Sequence, residues 1–376
     1  MRVALDSRFM QKVSQGTGTY TIELANNLVS CMNRDDRLLL LADDPAVVLT
    51  KQTGQPFLKD YRVEIKKLVS GWTPMNLLGG FALAEWRNKL DVLHTNYLSP
   101  LITTKKTKHI VTVHDVMFRT HKQYFNPKLT KGLEIFTPAS LKKADHIIAV
   151  SHYTRDEIIN NFGVNEEKIT VVHEAASEQF HIKDKTKSHD VITALGVTKP
   201  YFLFVGRFAA IKNIDNVIAA FERLADSEVQ LVLVGGFDPA FPNKPLENKI
   251  FNNPDRIKIL QGISNEELVH LYNNTLCLVF PSFAEGFGLP ILEAMSCGAP
   301  VITSTEGSCP EIAGDAALLV DPNDLSQLVV AMESIFRDIQ LRNSLSEKGL
   351  KRADTFSWQR CAADTYSVYE NIIGKF

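Results

Sequence analysis

Glu285 and Glu293 flank a glycine turn in the stretch EGFGLPILE, and an acid, a turn and a second acid in that order suit the holding of a nucleotide diphosphate. Gly286 and Gly288 let the main chain approach a ligand without side-chain obstruction, and Pro290 fits the first helical position, where a missing N–H is no loss. A helix opening there turns unpaired N–H groups and the positive end of its dipole outward, which favours phosphate. Glu293, about one turn inside, is in reach of a ribose hydroxyl, and Glu285, ahead of the turn, is placed for sugar hydroxyls. The same residues also fit an ordinary surface glycine loop before an amphipathic helix with Leu289, Ile291, Leu292 and Met295 as core.

A second segment agrees with the ligand reading. In VGRFAAIKNID a strand ends at Gly206 and two cations, Arg207 and Lys212, follow across a short loop. Arg brings a planar fork and Lys a compact charge, so together they can clamp a diphosphate and neutralise it as a leaving group; surface salt bridging is the alternative use of such a pair. Near the amino terminus Gly16 and Gly18, in SQGTGTY, sit between a first strand and a helix, where a ligand or a plain structural turn would each be served. His94 ends the strand DVLH and His114 ends HIVTVH, with Asp115 next. Strand ends are where sites gather in α/β sheets, so His114 is expected beside a reacting sugar and His94 and Asp115 on the acceptor side, a satisfied structural role being the alternative for each histidine.

These residues need two parallel sheets to position them. Short apolar, β-branched runs alternate with helical patterns: RVAL, RLLLLA, DVLH, HIVTVH, HIIAV and ITVV, then YFLFVG, VQLVLVGG, RIKILQG, LCLVF, PVIT and ALLV. The polar, lysine-rich stretch 181–199 separates the two series. The expected domains are therefore 1–190 and 191–356, with a closing helical segment, 357–376, whose docking site periodicity does not reveal. A chain of 376 residues exceeds what one core usually serves, in keeping with two domains.

Composition narrows the class. With 41 basic and 43 acidic side chains the net charge is −2, which argues against nucleic acid as a partner. The opening RVALD has no charged-then-apolar leader and no apolar run reaches about 18 residues, so the expected location is cytoplasmic. Five scattered cysteines lack paired spacing and read as reduced, structural thiols. The lysine groups 66–67 and 105–108 are solvated faces or weak membrane contacts, and residues 71–86 a lid, an acceptor flap, a membrane element or a buried helix. D-x-D, the usual acidic motif for a divalent ion carrying a sugar nucleotide, is missing, so no metal and no cofactor are expected. The P-loop, the GxSxG elbow and HExxH are missing too.

Taken together, GTGTY, VTVHD, AVSHYTRDEI, VGRFAAIKN, PSFAEGFGLPILEAMSCGAPVITS and GDAALLVDP resemble family 4 of the retaining glycosyltransferases, along nearly the entire chain. The resemblance implies a GT-B architecture, with two Rossmann-like domains facing across a cleft and a C-terminal helix crossing back to the first. It implies that Arg207 and Lys212 bind the diphosphate, Glu293 the ribose and Glu285 the donor sugar, with His114 beside that sugar. It further implies that Gly16 and Gly18 lie near the phosphates, with backbone donors at Phe287, Gly288 and Leu289. Where the family often has proline and asparagine, this chain has His173 and Glu174, then Ala175.

The expected reaction is transfer of a hexose from UDP-glucose or GDP-mannose to a glycan or lipid-linked saccharide, with retention, in surface or exopolysaccharide synthesis. Partners would be the nucleotide sugar and the saccharide acceptor, with peripheral contact at the inner membrane face. Rival readings are a catalytically silent sugar-nucleotide-binding subunit and a sugar-nucleotide epimerase on the same fold; phosphorolysis has no phosphate or pyridoxal motif behind it.

Overall fold

The computed structural model describes residues 1–11, 16–68, 76–224, 228–237, 253 and 255–374. The chain forms two compact units, one of residues 1–174 and 357–376, the other of residues 175–356. The first holds a seven-stranded sheet of β1 (Arg2–Asp6), β2 (Arg37–Ala42), β3 (Val63–Lys67), β4 (Val92–Asn96), β5 (Lys108–Val113), β6 (His146–Ala149) and β7 (Ile169–Val171). Its order is β3-β2-β1-β4-β5-β6-β7, and every pairing is parallel.

The second unit carries β8 (Tyr201–Val205), β9 (Gln230–Val234), β10 (Ile257–Leu260), β11 (Cys277–Phe280), β12 (Val301–Ser304) and β13 (Leu318–Val320). They are ordered β10-β9-β8-β11-β12-β13 and again all parallel. Strands buried on both faces must be apolar throughout rather than alternately, which is why RLLLLA and YFLFV fold into interior positions.

One strand escaped the sequence reading. VEIKK, residues 63–67, alternates apolar and charged residues and forms the edge strand β3, where Lys66 pairs with Glu64 at 2.7 Å. Charged side chains on an edge discourage pairing with a further chain, so these lysines serve a sheet margin. Residues 71–75 lie outside the described residues; the rest of that apolar segment forms a π-helical turn at Asn76–Gly80 and the helix Phe81–Asn88, with Leu77 and Phe81 buried. All five cysteines are free, four of them buried.

Contacts divide the chain at 174/175, earlier than the expected 190/191. The reason is side-chain anchorage. Asn273 accepts a hydrogen bond from Lys183 N at 2.7 Å, Ser188 Oγ lies 2.9 Å from His270 Nδ1, and Phe180 packs edge-on against Tyr272 at 5.9 Å. The polar stretch that reads as a linker is thus fastened to the helix Asn265–Asn274.

The helix Trp358–Ile373 belongs to the first unit and lies against the helix Gly16–Cys31. Ser357 caps it by accepting from Arg360 N. Tyr366 donates to Asp36 at 2.6 Å, and Asp36 also holds the terminal ammonium of Met1 at 2.6 Å. Tyr369 OH lies 2.6 Å from Nδ1 of the fully buried His94.

Tyr369→Phe strands a buried imidazole nitrogen without its partner. A destabilisation of about 1–3 kcal/mol is expected, read from the urea unfolding midpoint. An unchanged midpoint would mean that this hydroxyl carries no weight in docking the helix.

Candidate active site

In both sheets the strand order reverses between two neighbours, β1 with β4 and β8 with β11. Loops leaving such a pair at the carboxyl end diverge and leave a crevice. Gly16 and Gly18 follow β1, Arg207 and Lys212 follow β8, and Glu285 to Glu293 follow β11, while His114 and Asp115 follow β5.

In the second unit Gly206 follows β8, with a φ of +148° that suits glycine, and Gly235 after β9 has φ +142°. A Cβ on Gly235 would sit 1.9 Å from the Gly206 carbonyl oxygen, so the two loops touch through bare backbone. Arg207 is exposed. Lys212 follows on a 3-10 turn, Ala210–Lys212, which ends at Asn213 in the left-handed conformation with φ +58°.

Asn213 keeps that strained backbone because its side-chain amide donates to Pro281 O at 3.1 Å and Pro322 O at 2.7 Å. Phe283 N also donates to Ile211 O at 2.9 Å, so the cation loop is tied to the loop after β11. Lys212 Nζ then meets Glu285 Oε1 at 2.5 Å and lies 5.2 Å from the Phe280 ring centre. The lysine side chain keeps 23% of its surface exposed against 8% for the glutamate, so the cation is the outer partner.

The turn after Glu285 is fixed from behind. Ser308 Oγ donates to Glu285 O at 3.1 Å and to Phe287 O at 2.7 Å, while Ser308 N reaches Glu285 O at 3.2 Å. Gly307 makes this approach possible, since a Cβ there would lie 2.7 Å from Glu285 N. Gly288, with φ +100°, then opens the helix Leu289–Ser296, and no described side chain caps it. A helix start with no side-chain cap is a seat for an anion. One turn in, half-buried Glu293 accepts from Tyr272 OH at 3.0 Å. Burial pushes the Glu293 carboxyl up to about 7, against the lowering effect of the Tyr272 hydrogen bond.

Comparison with known proteins agrees with this geometry. Residues 185–352 match the family model described as glycosyl transferases group 1, and residues 14–177 the model for glycosyltransferase family 4. The O-antigen chain mannosyltransferase B of Escherichia coli is 30% identical over 265 residues, covering 69% of this chain and 70% of that protein. The chain belongs to the group 1, family 4 glycosyltransferases. It is an enzyme of the hexosyltransferase class.

The MMP alpha-(1->4)-mannosyltransferase of Mycolicibacterium hassiacum is 26% identical over 422 residues, covering 100% of this chain and 99% of its own. Among solved structures, Anabaena Alr3699/HepE in complex with UDP and glucose superposes with a TM-score of 0.78 at 16% identity, covering 99% of this chain and 100% of that one. The two parallel-sheet α/β domains are those of the GT-B fold.

In the glycosyltransferase's first unit, Gly16 and Gly18 form the opening turn of the helix Gly16–Cys31 instead of a loop before it, and residues 12–15 lie outside the described residues. His114 is buried, with Nδ1 3.0 Å from Glu174 Oε1 and Nε2 2.9 Å from Asn96 Oδ1. Both ring nitrogens are therefore engaged inside the domain. Half-buried Asp115 accepts from Met117 N at 3.1 Å and from Tyr97 OH at 3.4 Å.

His94, expected on the acceptor side, faces inward. It is fully enclosed, its nitrogens lie 2.6 Å from Tyr369 OH and 2.6 Å from Thr112 Oγ1, and burial, with His114 adding, lowers its pKa to about 3. An inward-facing residue at a strand end looks the same in sequence as an outward-facing one. Sequence reasoning also passed over Asn213, Ser308, Tyr272 and Asn96. Asn213 stands in the AIKN motif, so only its left-handed backbone was hidden; the other three act over separations that no local pattern encodes.

The raised Glu293 carboxyl makes stability depend on pH. Between the ordinary value of 4.5 and about 7 the folded chain keeps a proton that the unfolded chain has released, so stability falls as pH rises through that window. Glu293→Gln is expected to flatten this decline in urea midpoints measured from pH 4.5 to 7.5. Equal slopes for variant and wild type would remove the burial argument.

Proposed function

We propose that the chain transfers mannose from GDP-mannose to a hydroxyl of a growing saccharide, with retention of anomeric configuration and without a metal ion, in surface polysaccharide synthesis. The observation that carries the reading is the cluster of Lys212, Glu285 and the helix start at Leu289, a cation, an acid and an anion seat fixed to one another after β8 and β11. Mannose is favoured over glucose because both relatives described above are named mannosyltransferases, the 30% relative for an O-antigen chain. The complex with UDP and glucose is that of a protein only 16% identical, a likeness that speaks for fold alone.

In this reading the diphosphate lies against Arg207, Lys212 and the backbone N–H groups of Phe287, Gly288 and Leu289. Glu293 accepts from ribose hydroxyls and Glu285 from hydroxyls of the hexose. The bond between the anomeric carbon and the diphosphate oxygen breaks, and the acceptor oxygen attacks the same face. The acceptor's proton passes to the departing phosphate. Cations fixed before the reaction stabilise the charge that develops on that phosphate without having to reorganise. Lys212 fulfils the requirement, since Glu285 already holds it in place. The missing D-x-D motif supports a role for these cations in place of a divalent ion. Among the described residues no helix is long and apolar enough to cross a membrane, so contact with a lipid-linked acceptor would be peripheral.

Lys212→Ala is expected to lower kcat about a hundredfold, equivalent to about 2–4 kcal/mol of transition-state stabilisation. Wild-type turnover of that variant at saturating donor would exclude Lys212 from leaving-group stabilisation.

In a thermal-shift series, GDP and GDP-mannose are expected to raise the wild-type Tm more than UDP and UDP-glucose, because a ligand stabilises the state it binds. The reverse order would move the donor to UDP-glucose. Transfer is expected to persist in EDTA, and loss of turnover restored by magnesium would end the metal-independent reading.

A further inference from the structure

Glu174 closes the first of the two segments that make up the first unit. It is 3% exposed and its Oε1 lies 3.0 Å from His114 Nδ1. A carboxylate taken out of water is costly unless a hydrogen-bonded partner offsets the loss. Its other close titratable neighbours cannot do so with charge. They are Tyr20, Tyr97 and the thiol of Cys361, all pushed up first by burial, with Glu174 among the further causes. His114 is the partner that fits.

The opposite side of the ring fixes where its protons go. Thr21 donates its hydroxyl hydrogen to Thr17 O at 2.7 Å, so toward Asn96 it can only accept. The Asn96 amide nitrogen faces that hydroxyl oxygen and the carbonyl oxygen of Asp6, at 3.4 Å each, and both are acceptors. The Asn96 carbonyl oxygen is left facing His114 Nε2 at 2.9 Å, and Nε2 must donate. With Nε2–H committed to Asn96, Nδ1 faces a carboxylate. Both nitrogens are placed to donate, and the ring cannot turn over without breaking both bonds.

We propose that Glu174 is a positioning residue of the transfer reaction, accepting the Nδ1 proton of His114 and, with Asn96 on Nε2, locking the imidazole at the carboxyl end of β5. The role rests on the glycosyl-transfer reading above. The locked ring acts through its neighbours. Tyr20 meets it edge-on at 4.7 Å, and Tyr97 lies tilted against it at 5.2 Å. Tyr97 sits at φ +64°, a left-handed conformation unusual for a bulky residue, and its hydroxyl reaches Asp115 at 3.4 Å and Thr17 at 3.3 Å. A ring free to rotate would loosen Tyr97, and through it the surface that Asp115 and the first turn of the helix Gly16–Cys31 present. Every contact in this chain of residues lies within the first unit.

The test uses the full-length enzyme with Glu174→Gln, which keeps size and an acceptor oxygen, and Glu174→Ala. Ring 15N signals of His114, assigned by comparison with His114→Phe, are recorded at neutral pH. The Nδ1 signal is expected to differ between the wild type and both variants, while Nε2 keeps a protonated-type signal in all three. Turnover is expected to fall about tenfold to a hundredfold, with affinity for GDP within about twofold of wild type.

An unmoved Nδ1 signal in Glu174→Gln, or wild-type kcat in both variants, would overturn the proposal. So would a kcat loss matched by an equal loss of GDP affinity, which is the mark of general unfolding. Should the alanine variant fail to fold, the glutamine variant decides alone. If the wild-type chain binds neither GDP nor UDP, the donor reading fails first and the His114 spectrum alone judges the pairing.

Discussion

Parallel strand pairing is the constraint from which the rest of the molecule follows. Strands that all run one way deliver all their carboxyl ends to one edge, and reversal of order at β1/β4 and β8/β11 opens a gap at that edge in each unit. The rest of each sheet is committed to burial. Leu38 to Leu41 and Phe202 to Phe204 have no exposed surface, which leaves room for ligand chemistry only where strands end. The edge itself is then shaped by backbone contact: Gly206 and Gly235 touch without side chains, and Gly307 lies under the main chain of Glu285. A methyl group at Gly235 or Gly307 would have to displace backbone, and the loops that carry Arg207 and Glu285 would move with it.

Electrostatics within the second unit follow from that shape. Two opposite charges about 4 Å apart attract by about 4 kcal/mol at an effective dielectric constant of 20, and the closer Lys212–Glu285 pair must also overcome the loss of water around a carboxylate that is 8% exposed. Breaking such a pair costs more than forming it gains, because the carboxylate cannot regain its water. The pair therefore fixes Lys212 before any ligand arrives. The lysine is the outer partner, so an arriving diphosphate meets a positive charge first, with the acid behind it. Glu293 differs: half-buried and hydrogen-bonded by Tyr272 OH, its carboxyl is pushed by burial up to about 7.

Much of this was legible in the sequence, for physical reasons. Twelve of the strands coincide with runs rich in apolar, β-branched residues; β3 was missed because VEIKK gives three of its five positions to charged residues. Gly286, Gly288 and Pro290 announce a helix opening because few other residues tolerate those positions. What stayed hidden depends on contacts between distant residues. His94 meets Tyr369 across 275 positions, so the docking of the last helix and the burial of that histidine are one unreadable fact. The domain boundary shifted for the same reason, since Asn273 and His270 hold a stretch whose composition resembles a linker.

The two units fix their polar residues by different means. In the second, a charged pair and main-chain hydrogen bonds from Ser308 and Asn213 hold the cluster, and those contacts are short and largely buried. In the first, hydroxyls and imidazoles bridge strand ends in a chain from Tyr20 through Thr112 and His94 to Tyr369, with His114 beside it. Charged clusters tolerate a substitution poorly because a buried charge is left behind. Hydroxyl networks lose about one hydrogen bond at a time, roughly 1 kcal/mol each. Among the described residues of that network the exception is the Glu174–His114 contact, where a carboxylate meets an imidazole, so the largest effect of a single change there belongs at that contact.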